Sequence, residues 1–440
     1  MMKLARADGR YVFEGGGRVE QTPEGRLRFF LTSKTSETTG WEYLRSRLSD
    51  TPATGHFVSS SEYYTLTCTD TRGRSWEASP TPDIVPDFGA GTGVSIDGEV
   101  ELITGRGNSS RSSGKAYACL YFPERLRYPA NKTRHKAAWV DGDEHHPGAT
   151  VDTADFSSRR YTFRLSLDQD DHQFLRITSR RARKRWERDL EFRACDALEL
   201  VTGQAANWYF AELQFGSIEE CHIRSVKRFG DDGRINPPVM NIPTMFEDTW
   251  RLFGLYLEAM CDKRLNDSVG RRLRSMRAPA YWGAKLLAAG VQIEGVLSDN
   301  YDKHVKPPDD IVEAVGKVFG FLDSDESIAS GMKDRIRTSL GLLKSRSSAE
   351  NKLKALAGYG VVMEEYIEAW RHIRNKSAHA DLQSTGVSDD NLKRYHQVLV
   401  LFYQLIFYLV GYKGRYVDYG KEDHPIASYP PGSVSGVARP

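Results

Sequence analysis

The stretch Arg374-Asn375-Lys376-Ser377-Ala378-His379 sets a guanidinium five residues before an imidazole, with an amide directly after the arginine. These residue types suit phosphodiester chemistry. An imidazole exchanges a proton near neutral pH, and a guanidinium can hold the added negative charge of a pentacoordinate phosphate. Arg-x4–6-His is a loose pattern that composition alone can supply, yet of the 11 histidines only His379 has an arginine at that spacing. On one continuous helix, five residues turn the chain by about 500°, which leaves the two side chains roughly 140° apart. A single helix face cannot present both well. Either the helix ends near Asn375 and the chain turns, or two copies of the motif build one site across a dimer. The same residues also fit a helix C-terminus at which Arg374, Lys376 and His379 complement the macrodipole.

The elements that must position this motif are helical. Residues 361–378 carry an apolar stripe of Val362, Tyr366, Trp370 and Ile373 at spacings of three and four, which predicts a helix. A last helix is predicted after Ser388, a good N-cap, with Asp389 and Asp390 in its first turn. From Val398 onward it is apolar nearly all round, so it is buried in a bundle or in a subunit interface. Further helices are predicted over 245–260, 281–297, 311–321 and 334–343.

The first half reads differently. Tyr11-Val12-Phe13, 27–31, 63–67, 100–103 and 161–167 carry β-branched and aromatic residues, and the last alternates with the period of a half-buried strand. Gly15-Gly16-Gly17 and Gly105-Arg106-Gly107-Asn108 read as turns between strands. Residues 190–193 read as a further strand, and a helix is predicted near 195–201, ending at Gly203. The fold class expected is α+β and multidomain: a β-rich, sandwich- or barrel-like N-terminal half and an all-α helical bundle after it. The expected organisation is a β-rich domain over 1–235 (in one lobe or two), a linker over 236–244, a helical domain over 245–413 and a mobile tail over 414–440.

A length of 440 residues implies two or three domains, and 40% apolar with 27% charged residues is a globular composition. The net charge of +2 excludes a strongly basic nucleic-acid coat, so any RNA must meet a local patch. Five widely spaced cysteines without a CxxC pair argue against a zinc ribbon or a disulfide framework. The first fifteen residues lack an apolar h-region, and the longest apolar run, 398–410, is too short for a bilayer and broken by Gln404. A cytoplasmic protein without a membrane partner is the expectation.

The helical setting of Arg371-His372-Ile373-Arg374-Asn375-Lys376-Ser377-Ala378-His379, between a penultimate helix and a very apolar last one, resembles the HEPN superfamily of nucleases. The segment is similar to the HEPN Arg-x4–6-His signature, including its polar residue after the arginine, and the resemblance covers roughly residues 245–413. With a β-rich half in front, the whole chain is similar in architecture to the ApeA-like abortive-infection proteins of anti-phage defence. The resemblance implies a metal-independent endoribonuclease without cofactor, in which the RNA 2′-OH attacks to leave a 2′,3′-cyclic phosphate and a 5′-OH. His379 would transfer the proton and Arg374 would stabilise the phosphorane. It further implies a homodimer or higher oligomer with two motifs facing one cleft, RNA as substrate with tRNA among the candidates, and a phage-derived trigger sensed by the N-terminal half. The alternative is a catalytically silent HEPN bundle that serves as a dimerisation or binding scaffold.

Supporting positions follow. Glu294 resembles an acidic position of ApeA-like HEPN domains and would orient Arg374, although a solvated helix glutamate is the commoner account. Asn375 would bind phosphate or cap the helix end, and Arg371 with His372 would flank the substrate. Elsewhere Arg176, Arg180, Arg181, Arg183, Lys184, Arg185, Arg188 and Arg193 cluster around Trp186. Arg181, Arg183, Lys184 and Arg185 are the RNA-binding candidates of this segment, and a solvated hairpin turn paired with Glu187 and Asp189 is the competing account. The segment 107–115 fails the P-loop pattern, and Asp141, Asp143, Glu144, His145 and His146 are read as a solvated cluster, so no metal is expected.

Overall fold

In the computed structural model, residues 1–33, 60–79, 81, 84–87, 93–108, 115–135, 138–140, 143–145, 149–168, 170–181, 187, 189–226, 234–277, 281–302, 305, 307, 309–345, 347–378 and 388–431 are described. The alternating segments of the first half pair into one antiparallel sheet. Its strands are β1 (Met2–Arg6), β2 (Val12–Gln21), β3 (Leu27–Ser33), β4 (Tyr64–Thr69), β5 (Ser75–Ala78), β6 (Ile84–Asp87), β7 (Val94–Val100) and β8 (Leu102–Asn108). It continues with β9 (Tyr117–Phe122) and β10 (Lys132–His135), while β11 (Ala138–Val140) and β12 (Asp143–His145) form a separate ribbon. The remaining strands are β13 (Ala149–Ser157), β14 (Tyr161–Leu167), β15 (Gln173–Ser179), β16 (Phe210–Phe215) and β17 (Ile218–Arg224).

The hydrogen-bonded order of the 15 strands is β10-β13-β14-β15-β9-β16-β17-β8-β5-β4-β1-β2-β3-β7-β6. The strands are thus joined edge to edge in one continuous ladder. Alternation sets its inner face: Tyr161, Phe163 and Leu165 of β14 are buried, and Thr162 and Arg164 between them are exposed. Leu4, Phe13, Phe29, Leu66, Ile96 and Ile103 belong to one buried cluster on β1–β8.

The glycine clusters are not turns. Gly15-Gly16-Gly17 lies inside β2 and Gly105-Arg106-Gly107-Asn108 inside β8. At Gly17 a Cβ would stand 2.2 Å from the Phe30 carbonyl oxygen, and at Gly105 it would stand 2.6 Å from the Trp76 ring. Close approach by a neighbouring strand or indole, not chain reversal, explains these glycines.

Residues 190–193 also depart from the strand expectation, because they open helix α1 (Leu190–Thr202). Leu190, Ala194, Ala197, Leu198 and Val201 are buried at helical spacing, and that burial outweighs the local alternation. Contacts divide the chain into two compact units. The first comprises Met1–Arg125, Asn131–Glu191 and Ala206–Gly230; the second comprises Leu126–Ala130, Phe192–Ala205 and Asp231–Pro440. The segments 126–130 and 192–205 thus belong with the helices rather than with a β-rich block ending at 235.

The second unit contains α2 (Phe246–Cys261), α3 (Ser268–Arg277), α4 (Trp282–Asn300), α5 (Asp309–Ser324), α6 (Ser330–Ser345), α7 (Ala349–Gly358), α8 (Glu364–Ala378) and α9 (Asp389–Val410). Ser388 caps α9, its side chain accepting from the Asn391 amide at 3.3 Å, and Gly411 ends it in the left-handed region at φ 72°. Every residue of α9 from Val398 to Phe407 is buried within the single chain, so this stretch is bundle interior and not a subunit interface. Gln404, which breaks the apolar run, is partnered at both ends: it accepts from the Met363 amide at 3.2 Å and donates to the Tyr416 hydroxyl at 3.2 Å. Among the described residues, no helix is long and apolar enough to cross a membrane.

The expected linker and tail are both built in. β18 (Gly414–Val417) and β19 (Ile426–Tyr429) form an antiparallel hairpin with Tyr416, Val417 and Tyr429 buried. Asp418, 1% exposed, accepts from the Tyr366 hydroxyl of α8. Val417 donates to the Pro238 carbonyl at 3.0 Å, and Tyr403 and Tyr419 donate to the carbonyls of Asn236 and Pro237 at 2.6 and 2.9 Å. Buried aromatics hold this segment where proline content alone suggests mobility; residues 432–440 lie outside the described part.

Candidate functional site

Helix α8 carries the motif and is fixed to α4 by its apolar stripe. Tyr366, Ile367, Trp370 and Ile373 are buried, and the Trp370 indole donates to the Gly290 carbonyl of α4 at 3.0 Å. Gly290 faces this contact: a Cβ there would sit 3.4 Å from Ile373 Cγ2. The contact brings the start of the motif beside α4. Arg374, with 53% of its side chain exposed, donates through Nε to the carboxylate of Glu294, which is 37% exposed. Among the described residues, the two terminal nitrogens of Arg374 take no partner. A guanidinium held by its Nε and open at its outer edge is oriented for an oxyanion.

The helix does not end near Asn375. It continues to Ala378, although the side chains of residues 376–378 lie outside the described part, as does His379. Asn375 is exposed on this last stretch, so it is not a helix-ending cap. Arg371 is engaged within the bundle: its Nη1 donates to both Glu368 oxygens at 2.8 and 2.9 Å, and its Nη2 donates to Glu350 at 2.8 Å. Glu350 also pairs with Lys354 at 2.9 Å. Its position in this network suits Arg371 to fixing α8 against α7 rather than to gripping substrate.

Beside the motif, α8 and α9 border an open cleft of about 450 Å³. Glu365, Glu368, His372 and Asn375 line it from α8, at spacings of three, four and three that mark one helix face. Arg394 and Gln397 line it from α9. Neither of these α9 residues was a candidate from the sequence. The available signal was their own spacing of three beside an otherwise apolar helix, and it gains meaning only when α8 is placed opposite.

Comparison of the chain with protein-family models, with curated proteins and with solved structures finds no match. The functional reading therefore rests on residues and geometry.

The basic segment is divided by its surroundings. Arg176 lies over the Tyr117 ring at 4.6 Å, and Arg193 meets Asp267 at 3.7 Å. Arg181 is exposed; Arg183, Lys184, Arg185, Trp186 and Arg188 lie outside the described residues. Among the described residues, Asp168, Asp170 and His172 bring ligand atoms within 4.8 Å of one another. They form a turn in which Asp168 accepts from the amides of Asp170 and His172 at 3.0 and 2.8 Å, which accounts for the grouping without a metal. Asp141, His146 and the side chains of 143–145 lie outside the described part.

Proposed function

We propose that this chain is a HEPN-type endoribonuclease of anti-phage defence, with Arg374 and His379 as its catalytic residues. The observation that carries the reading is the Arg374–Glu294 pair: the one arginine at motif spacing from a histidine is turned toward an acidic partner and left open on its outer edge. In this reading His379 removes the proton from an RNA 2′-OH as its oxygen bonds to phosphorus. Arg374 holds the equatorial charge of the phosphorane. The P–O5′ bond then breaks, an imidazolium returns a proton to the leaving 5′-oxygen, and a 2′,3′-cyclic phosphate remains. The resemblance assigns these steps no metal and no cofactor. Dimerisation, which the resemblance implies, would bring two copies of the motif to one cleft. The β-rich unit is assigned the sensing of a phage-derived trigger, and the cytoplasm is the compartment proposed.

The test is phage challenge of cells carrying wild type, R374A or H379A, with sequencing of RNA ends that bear 2′,3′-cyclic phosphate. Wild type should protect and accumulate such ends, tRNA being the first RNA to inspect, and both variants should lose the two effects together. Protection and ends retained in both variants would sink the nuclease reading.

A further inference from the structure

We propose that the cleft between α8 and α9 is a nucleotide subsite, seating one unpaired RNA nucleotide beside the scissile phosphate, with Arg394, Gln397 and Asn375 as its binding residues. This deepens the nuclease reading and rests on it for the identity of the ligand. Three observations carry it.

The first is size. About 450 Å³ falls within the roughly 300–1,000 Å³ of small-ligand pockets. The α8 wall from Glu365 to Asn375 spans ten residues, about 15 Å of helix. On scale, an open cleft of this length suits one unpaired nucleotide.

The second is chemistry. Arg371 is already bound by Glu368 and Glu350, so the cationic group left to a ligand is Arg394. Among the described residues the polar heads of Arg394, Gln397 and Asn375 take no hydrogen bond or ion pair. Two amides and a guanidinium beside the Glu365 carboxylate offer donors and acceptors together. A phosphate presents acceptors alone; a base edge presents both kinds. With two carboxylates and two guanidiniums lining it, the cleft has no net charge to recommend it to a bare phosphate. Base recognition in unpaired RNA uses this mixture of groups.

The third is placement. Arg374 leaves α8 toward α4, while the cleft lies on the face of His372 and Asn375. Asn375 follows Arg374 directly in the chain, so the cleft adjoins the start of the motif.

The experiment is fluorescence anisotropy of the full chain with a labelled octamer carrying 2′-deoxy substitutions, which binds but cannot be cleaved through a 2′-OH. Wild type, R394A, R394K, Q397A and K393A are compared, with thermal melting to confirm folding. The expected result is a Kd raised about tenfold or more in R394A and Q397A, a partial loss in R394K, whose ammonium keeps charge without the planar fork, and no change in K393A. Equal binding by wild type, R394A and Q397A would overturn the subsite, as would wild type binding the matching duplex as tightly as the single strand. Failure of the nuclease reading looks different: R374A and H379A then cleave RNA as wild type does, whatever R394A does to binding.

Discussion

The carboxylate of Glu294 accepts a hydrogen bond from Nε of Arg374, eighty residues away in sequence and one helix away in space. Both side chains are more than one-third exposed, so the pair contributes only about 0–1 kcal/mol to folding. Its consequence is orientation. E294A should leave the melting temperature within about 2 °C of wild type while lowering RNA cleavage by roughly tenfold, with E294Q, which keeps an acceptor, recovering part of the loss. A kinetic comparison on one RNA checks this, and cleavage by E294A at the wild-type rate would remove Glu294 from the site.

Gly290 separates two kinds of substitution. G290A places its Cβ 3.4 Å from Ile373 Cγ2, an ordinary contact, and gains helix propensity, so stability should rise by up to about 1 kcal/mol or stay level. G290L has no such room and should cost about 1–3 kcal/mol by forcing α4 from α8. Urea titrations of both variants decide it; destabilisation by alanine as large as by leucine would show that α4 and α8 lie too close even for a methyl group.

Removal of residues 414–440 should not behave as removal of a mobile tail. Tyr416, Val417 and Tyr429 are buried, and at about 1.5–3 kcal/mol each their loss amounts to roughly 5 kcal/mol. The truncated chain should melt lower by on the order of 10 °C or fail to fold. Y366F is the milder counterpart: it strips a hydrogen bond from the buried carboxylate of Asp418 and should cost about 1–3 kcal/mol. Calorimetry on both variants gives the comparison.

Charge inside α9 should be disastrous. Phe402 and Ile406 are fully buried in the single chain, so F402D or I406D should unfold the helical bundle outright instead of yielding folded monomers. Circular dichroism beside light scattering distinguishes the two results.

Acid should weaken the clasp around Asn236. Half-burial and the neighbouring His424 lower the pKa of His396 below its usual 6.5, and Asn236, Tyr395 and Tyr419 pack around the ring. Between the lowered folded value and 6.5 the unfolded chain binds more protons, so stability rises with pH there and is lost as pH falls below 6.5. H396Q should flatten this slope between neutral pH and pH 5 in urea titrations. An unchanged slope would clear His396 of the effect.

The sequence by itself determined which segments are strands and which helices wherever a period runs long enough. Tyr161–Leu167 alternates and is β14, and Ser388 with its two aspartates opens α9, because local burial pattern and capping act over a few residues. It also singled out Arg374 from the spacing to His379. Tertiary packing decided what short-range chemistry leaves open. The triple glycine of β2 reads as a turn until β3 is seen pressing on Gly15 and Gly17, and 190–193 reads as a strand until its neighbours bury it as a helix. Arg371 and Arg374 look alike in sequence, yet one is spent on Glu350 and Glu368 while the other is held toward Glu294 with its outer edge open. Arg394 and Gln397 had no visible role until α8 stood opposite them. Partners distant in sequence fix these assignments, and a local pattern carries no record of what the fold brings against it.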